Sequence, residues 1–289
     1  MKIFYQICII LVLFFSVSFP ANAIKIGLLE DQKTISTGVS TAGSIYDATT
    51  GKGIMKLQAM SKYILKNSRT TIQIKINGKF YPLHSKNIKI TTNNNKGFVL
   101  AKERWYRQSL IVMKTQDGLT VINDIDLELY LCGVVPSEMP SKWHTEAHKA
   151  QAIAARSYAL ANLGKRSSKG YDLKDTPEDQ AYGGASSETA KTTKAVSDTL
   201  GQVLVHNGKI IPAYYHASAG GKTKNSGKVW NKNLPYIHSV PSFDRQVGKS
   251  GHGVGMSQYG ANYLANKGYN AYQILGYFYT NVRLRTLPQ

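Results

Sequence analysis

One carboxylate stands out by its surroundings. Val134-Val135-Pro136-Ser137-Glu138-Met139-Pro140 sets Glu138 between two prolines, just ahead of an alanine-rich stretch, in a 289-residue chain with 36 Lys and Arg against 17 Asp and Glu. Proline fixes its own φ and drives its predecessor out of the helical region. The segment between Pro136 and Pro140 is therefore expected to be a stiff loop, a good mount for a proton-transferring group. A glutamate at the mouth of a helix is also favoured by the helix dipole, so the position admits a plain turn as well as a catalytic acid.

Three further groups could do chemistry. Lys149 and Arg156 lie two helical turns apart, a rise of roughly 10 Å, and are expected on one face, where they would either hold anionic or carbonyl groups of a ligand or stay solvated. His216 and Ser218 stand two apart at a strand end and point to the same side, but no nucleophile-elbow motif or third member accompanies them, which argues against a serine hydrolase. Gly251-His252-Gly253-Val254-Gly255 is a glycine-rich turn without the spacing of a phosphate loop, and His252 alone reads equally well as a structural histidine.

Taken together, these blocks resemble the SpoIID/LytB family. The resemblance rests on Glu138-Met139-Pro140, Trp143, Glu146-Ala147 and Lys149-Ala150-Gln151-Ala152-Ile153-Ala154-Ala155-Arg156-Ser157-Tyr158-Ala159. It continues in Ala213-Tyr214-Tyr215-His216-Ala217-Ser218-Ala219-Gly220-Gly221-Lys222-Thr223 and in Gly251-His252-Gly253-Val254-Gly255-Met256-Ser257-Gln258-Tyr259-Gly260-Ala261. It covers about 124–284 and is weak before that. It implies an exported lytic transglycosylase that cuts peptidoglycan glycan strands between N-acetylmuramic acid and N-acetylglucosamine and leaves 1,6-anhydromuramoyl ends. Glu138 would be its catalytic acid, and Lys149, Arg156, Tyr158, His216, Ser218, His252 and Gln258 its substrate-site candidates. The amidase-enhancer branch of the family implies instead a partner of a cell-wall amidase, and a basic wall-binding protein is a third reading. Some members carry a cysteine- and histidine-rich zinc site near the segment matching 171–182. Here that segment has neither residue type, so no metal and no cofactor is carried over. Many members also have a longer stretch between Ser239-Val240-Pro241 and the Gly-His-Gly block than the roughly ten residues found here.

The chemistry suits one carboxyl. Ordinary glycosidases need two, the second to activate water or attack carbon. A transglycosylase needs one, which protonates the leaving oxygen and then takes a proton from the muramic C6 hydroxyl. Glu138 must start protonated, so burial is expected to raise its pKa, and Lys149 and Arg156 are expected to stay out of direct pairing with it.

The elements that must position these groups follow from patterning. Residues 1–23 read as an export leader: Lys2, an apolar run over 9–15 too short for the roughly 20 residues of a span, and small residues at Ala21 and Ala23. The chain is thus expected in the periplasm, wall or medium, with no membrane span left after cleavage. Cys8 leaves with the leader, so Cys132 has no disulfide partner and reads as a small buried hydrophobe. The formal charge of +19 favours polyanions, but export and the lack of a recognised DNA-binding motif exclude nucleic acid in favour of the wall's own anions.

The expected fold is α+β: a β-rich amino-terminal peripheral module (24–123) and a mixed helical and β catalytic core (124–289). Strands are expected at 24–29, 71–76, 88–92 and 119–122, with hairpin turns at Asn77-Gly78 and 93–97 and an irregular or briefly helical stretch at 51–66. Downstream, Ala147, Ala150, Ala154, Tyr158 and Ala161 predict a helix over 144–162 with one buried stripe. A polar loop at 164–184 follows, then a helix at 187–199, a hairpin turning at Asn207-Gly208 and a last helix over 257–266.

Overall fold

The structure, a computed structural model, describes residues 23–288, so the expected leader lies outside the described residues except for Ala23. Twelve strands come first: β1 (Ala23–Gln32), β2 (Thr34–Val39), β3 (Gly43–Asp47), β4 (Gly53–Leu57), β5 (Lys62–Asn67), β6 (Ile72–Ile76), β7 (Lys79–Pro82), β8 (Asn87–Thr92), β9 (Phe98–Ala101), β10 (Arg104–Arg107), β11 (Ser109–Lys114) and β12 (Leu119–Asp126). They form a six-stranded sheet in the order β10-β9-β2-β5-β6-β7 and most of a seven-stranded one, β1-β12-β11-β8-β3-β4. Strict alternation drives this: β8 buries Ile88, Ile90 and Thr92 on one face. Asn77 and Gly78 both take positive φ, 48° and 84°, as a two-residue hairpin between β6 and β7 requires. The stretch 51–66, expected to be irregular, contains β4 and β5 instead. β5 is held between β2 and β6 in a ladder from distant segments, which a local pattern cannot show.

Strand β12 runs without a break into helix α1 (Leu127–Glu138). Asp126 caps it, its carboxylate accepting the N–H groups of Glu128 and Leu129 at 2.9 and 3.3 Å. The expected boundary after residue 123 therefore falls inside a strand. The β-rich half is also not peripheral: Ile24, Ile90, Val112 and Val121 share one core with Leu131, Val134 and Val135 of α1 and with Ala152 and Ala155 further on.

The next helix, α2 (Thr145–Ala161), begins at His144, whose Nδ1 accepts the Glu146 N–H at 3.2 Å. Sequence spacing predicted one buried stripe, but the helix is buried on nearly every side from Ala147 to Ala159, and Ala161 is exposed. It lies between two cores: Ala152, Ala155, Tyr158 and Ala159 face the first, while Ala147, Ala150, Ile153 and Ala154 face a second built with Met139, Ile211, Met256 and Phe278. Small side chains let several neighbours approach one helix.

After it come the short strand β13 (Leu173–Lys174), which adds in parallel to the edge of β1, and helix α3 (Ala190–Asp198). Strands β14 (Gln202–His206) and β15 (Lys209–Ile210) turn at Asn207-Gly208, and β20 (Arg283–Thr286) completes their sheet. Between them, β16 (Tyr215–His216) pairs in parallel with β19 (Met256–Ser257), and β17 (Ser218–Ala219) pairs with β18 (Lys249–Ser250). These two small pairings fix the Gly251–Gly255 turn beside His216. Helices α4 (Gly227–Trp230), α5 (Gln258–Asn266, capped by Ser257) and α6 (Ala271–Phe278) close the second core. No helix among the described residues is long and apolar enough to cross a membrane.

Candidate active site

Glu138 is the last residue of α1, not part of a loop, because Pro136 is accommodated within the helix's final turn. Burial of Val134, Val135 and Met139 on either side outweighs the local preference against proline there. Pro140 does act as expected: Met139 is extended (φ −129°, ψ 136°), so the helix stops as the carboxylate emerges.

The Glu138 side chain faces a cleft of about 800 Å³. Its Oε1 accepts the Ala181 N–H at 2.8 Å and the Tyr215 hydroxyl at 3.4 Å, and its Oε2 accepts the Gln258 amide at 2.9 Å. All three donors are neutral. Burial raises the Glu138 pKa, and these donors, Gln258 first, oppose the rise without cancelling it. The Tyr215 hydroxyl itself accepts from the Gln180 amide at 2.8 Å, and burial holds its pKa well above the usual phenol value, so it remains a donor. Gln180 is held in turn by the Tyr130 hydroxyl and the Ala155 carbonyl.

Two other carboxylates border the cleft, Glu178 and Asp179. Asp179 has no free lone pair for a water. Its Oδ1 takes Lys165 at 2.5 Å and the Tyr158 hydroxyl at 3.3 Å, and its Oδ2 takes Arg166 at 2.7 Å and the Lys174 N–H at 2.8 Å. These partners hold its pKa below the usual value against a desolvation that is the largest single influence. Glu178 pairs with Arg166 and Lys174.

The wall away from α1 is aromatic. The Trp230 ring lies 4.5 Å from Tyr214 and 5.0 Å from His252, and His252 lies 5.4 Å from His216. His252 Nδ1 accepts the Val254 N–H at 3.0 Å, and His216 Nδ1 sits 3.1 Å from the Val254 carbonyl while its Nε2 is buried without a partner. Burial, then the neighbouring His252, pushes His216 down to about 4, so it is neutral near pH 7. Glycine is required at two points of this turn: a Cβ on Gly251 (φ 95°) would meet the His216 Cβ at 2.9 Å, and one on Gly255 (φ 76°) would strike the Tyr214 carbonyl.

The buried Asp244 ties this wall together. It accepts the N–H groups of Ala219 at 2.8 Å and Gly221 at 2.6 Å, and the hydroxyls of Ser242 at 2.6 Å and Ser257 at 2.5 Å, which hold its pKa low against burial.

Of the residues singled out in the sequence, Glu138, Tyr158, His216, His252 and Gln258 all line the cleft. Three do not. Ser218 is fully buried, 3.5 Å from the Asp244 carbonyl. Lys149 pairs with Glu146 at 3.0 Å and Asp198 at 3.5 Å, outside the cleft lining. Arg156 has no exposed surface: it grips Glu128 through two 2.6 Å bonds and reaches the Gln202 carbonyl at 3.1 Å. A ligand-facing role for the pair Lys149 and Arg156 is corrected to a structural one, because Arg156 is enclosed by α1, α3 and β14 and Lys149 is tied to Glu146 and to Asp198 at the end of α3. Gln180, Ala181, Asp179, Trp230 and Asp244 carry no local signal in the sequence that would mark them for the site. Tyr215 stood within a recognised block, but nothing in the spacing aimed it at Glu138. Among the described residues no group of three or more His, Cys, Asp or Glu side chains could hold a metal ion.

Residues 115–206 match the family described as stage II sporulation protein, SpoIID. The chain is 43% identical over 119 residues to the amidase enhancer of Bacillus subtilis, covering 41% of this chain and 16% of that protein. It is 37% identical over 136 residues to the stage II sporulation protein D of the same organism, covering 42% and 40%. To an uncharacterized protein of Brachyspira hyodysenteriae it is 34% identical over 152 residues, covering 52% and 41%. The chain thus spans less than half the length of each of these three relatives.

Proposed function

We propose that this chain, which belongs to the SpoIID/LytB family, works on the cell wall outside the membrane as a peptidoglycan lytic transglycosylase with Glu138 as its one acid and base. The observation that carries the reading is a half-buried carboxyl with a raised pKa, served by neutral donors only, in a cleft whose other carboxylates are tied to cations, Asp179 to Lys165 and Arg166 and Glu178 to Arg166 and Lys174.

A protonated Glu138 gives its proton to the glycosidic oxygen as the bond to muramic C1 breaks. The resulting carboxylate is received by Ala181 N–H, the Gln258 amide and the Tyr215 hydroxyl, already aimed at its two oxygens. It then takes the proton of the muramic C6 hydroxyl, whose oxygen closes on C1, and the acid is restored. No activated water is needed. The ring faces of Tyr214, Trp230 and His252 offer the apolar surface on which pyranose rings pack.

The test is to digest purified glycan strands with the protein and with Glu138→Gln and read the ends by mass spectrometry. Anhydromuramoyl ends from the first alone are expected, and reducing ends or no products refute the reading. The 43% identity to a protein named amidase enhancer supports a second reading, in which products appear only when a wall amidase is added and Glu138→Gln has no effect.

A further inference from the structure

The charges around the cleft are unevenly balanced. On the wall formed by 165–181, every cation that touches the cleft's carboxylates is paired: Lys165 and Arg166 with Asp179, and Lys174 with Glu178. The wall carrying His252 differs. Lys249, in β18, directly precedes Ser250, Gly251 and His252, all of which line the cleft. Lys224 donates its N–H to the Gly253 carbonyl at 2.7 Å, and its side chain runs beside that glycine, so a Cβ placed there would lie 3.6 Å from the Lys224 Cγ. The two lysines thus flank the same turn from either side. Both are exposed, and neither forms an ion pair among the described residues. The proximity of Lys249 lowers the pKa of the Lys224 ammonium, and the Lys249 charge also lowers that of His252, which burial already depresses. Asp244, the acidic residue beside this region, is committed to Ala219, Gly221, Ser242 and Ser257. Two like charges flanking one turn, with no ion-pair partner among the described residues, repel each other, and an anionic ligand would offset that repulsion.

We propose that Lys224 and Lys249 form a carboxylate-binding subsite at the His252 end of the cleft, taking the carboxyl group that a muramoyl residue carries. That group is the lactyl carboxylate of a bare strand or the terminal carboxylate of an attached stem peptide. The assignment rests on the glycan reading above, because in such a strand the N-acetylglucosamine units are uncharged and only the muramoyl units bear an anion. The subsite would set which way round a strand lies, with the lysines marking a muramoyl position and the aromatic wall taking the neutral sugar faces.

Binding to the Glu138→Gln protein, which keeps the strand intact, is measured by calorimetry with and without Lys224→Gln/Lys249→Gln. The probes are bare glycan strands, the same strands with the lactyl carboxyl reduced to an alcohol, peptide-bearing strands, and chitin oligosaccharides of equal length. Two exposed ammonium–carboxylate contacts correspond to roughly a tenfold change in affinity at low salt. The double substitution is expected to weaken carboxyl-bearing strands by about that factor and to leave reduced strands and chitin oligosaccharides unchanged. Sensitivity confined to bare strands assigns the lactyl group, and sensitivity confined to peptide-bearing strands assigns the stem. Equal binding of carboxyl-bearing strands with and without the lysines overturns the subsite and leaves the cleavage reading standing, as does equal weakening on chitin. Failure of every glycan to bind either protein overturns both, whereas bound but uncut strands in the digestion assay remove only the cleavage reading.

Discussion

Replacing Arg156 should destabilise the fold and leave glycan binding by the folded protein intact. The guanidinium is fully buried and bonded to Glu128 at 2.6 Å on each oxygen, to the Gln202 carbonyl at 3.1 Å and to the Val196 carbonyl at 3.4 Å, so one side chain joins α1, α2, the end of α3 and β14. Removing one partner of a buried ion pair costs about 3–5 kcal/mol. Arg156→Met should fall near the low end, about 3 kcal/mol, since the stranded Glu128 side chain is 26% exposed and water can reach it. Glu128→Ala should cost more, toward about 5 kcal/mol, because it strands a cation with no access to water. In a domain of this size about 3 kcal/mol lowers the melting temperature by roughly 6–12 °C. Urea and thermal denaturation of both variants, with glycan affinity measured well below the transition, give the answer. Wild-type melting combined with lost glycan affinity in Arg156→Met would refute the clamp and restore a ligand-facing arginine.

Three further outcomes follow from the site. Because the folded-state pKa of Glu138 is raised, folding favours its protonated form; that stability is complete below the unfolded pKa and is lost as pH rises through the folded one. Glu138→Gln should therefore gain thermal stability relative to wild type between acidic and neutral pH, and a constant difference across that range would show the carboxyl to be solvated. Gln258→Leu removes the strongest donor to the carboxylate, so the alkaline limb of the activity profile, where the acid loses its proton, should move to higher pH; an unmoved limb would mean another group sets it. Asp244→Asn turns two acceptor oxygens with four donors into a half-mismatched amide, and a loss of about 2–3 kcal/mol in urea unfolding is expected, with hydrogen exchange rising first in 217–221.

Part of the order of elements, and the carboxyl that comes to face the cleft, were legible in the sequence. Glu138 was marked by its prolines and its place before an alanine-rich helix, and Asn77-Gly78 and Asn207-Gly208 were marked as hairpins by their tolerance of positive φ. Such signals are local: a residue's backbone preference or a period of apolar side chains acts over a few neighbours. What surrounds Glu138 is not local. Ala181, Tyr215 and Gln258 come from 43, 77 and 120 residues away, and they meet one carboxylate only because α1, β16 and α5 close around α2. The same closure decided against the sequence at Arg156, where seven-residue spacing correctly put two cations on one face but could not say whether solvent or α1 lay opposite. Spacing along a chain fixes which side chains share a direction; what they face is set by long-range packing, which sums over elements that no short window contains.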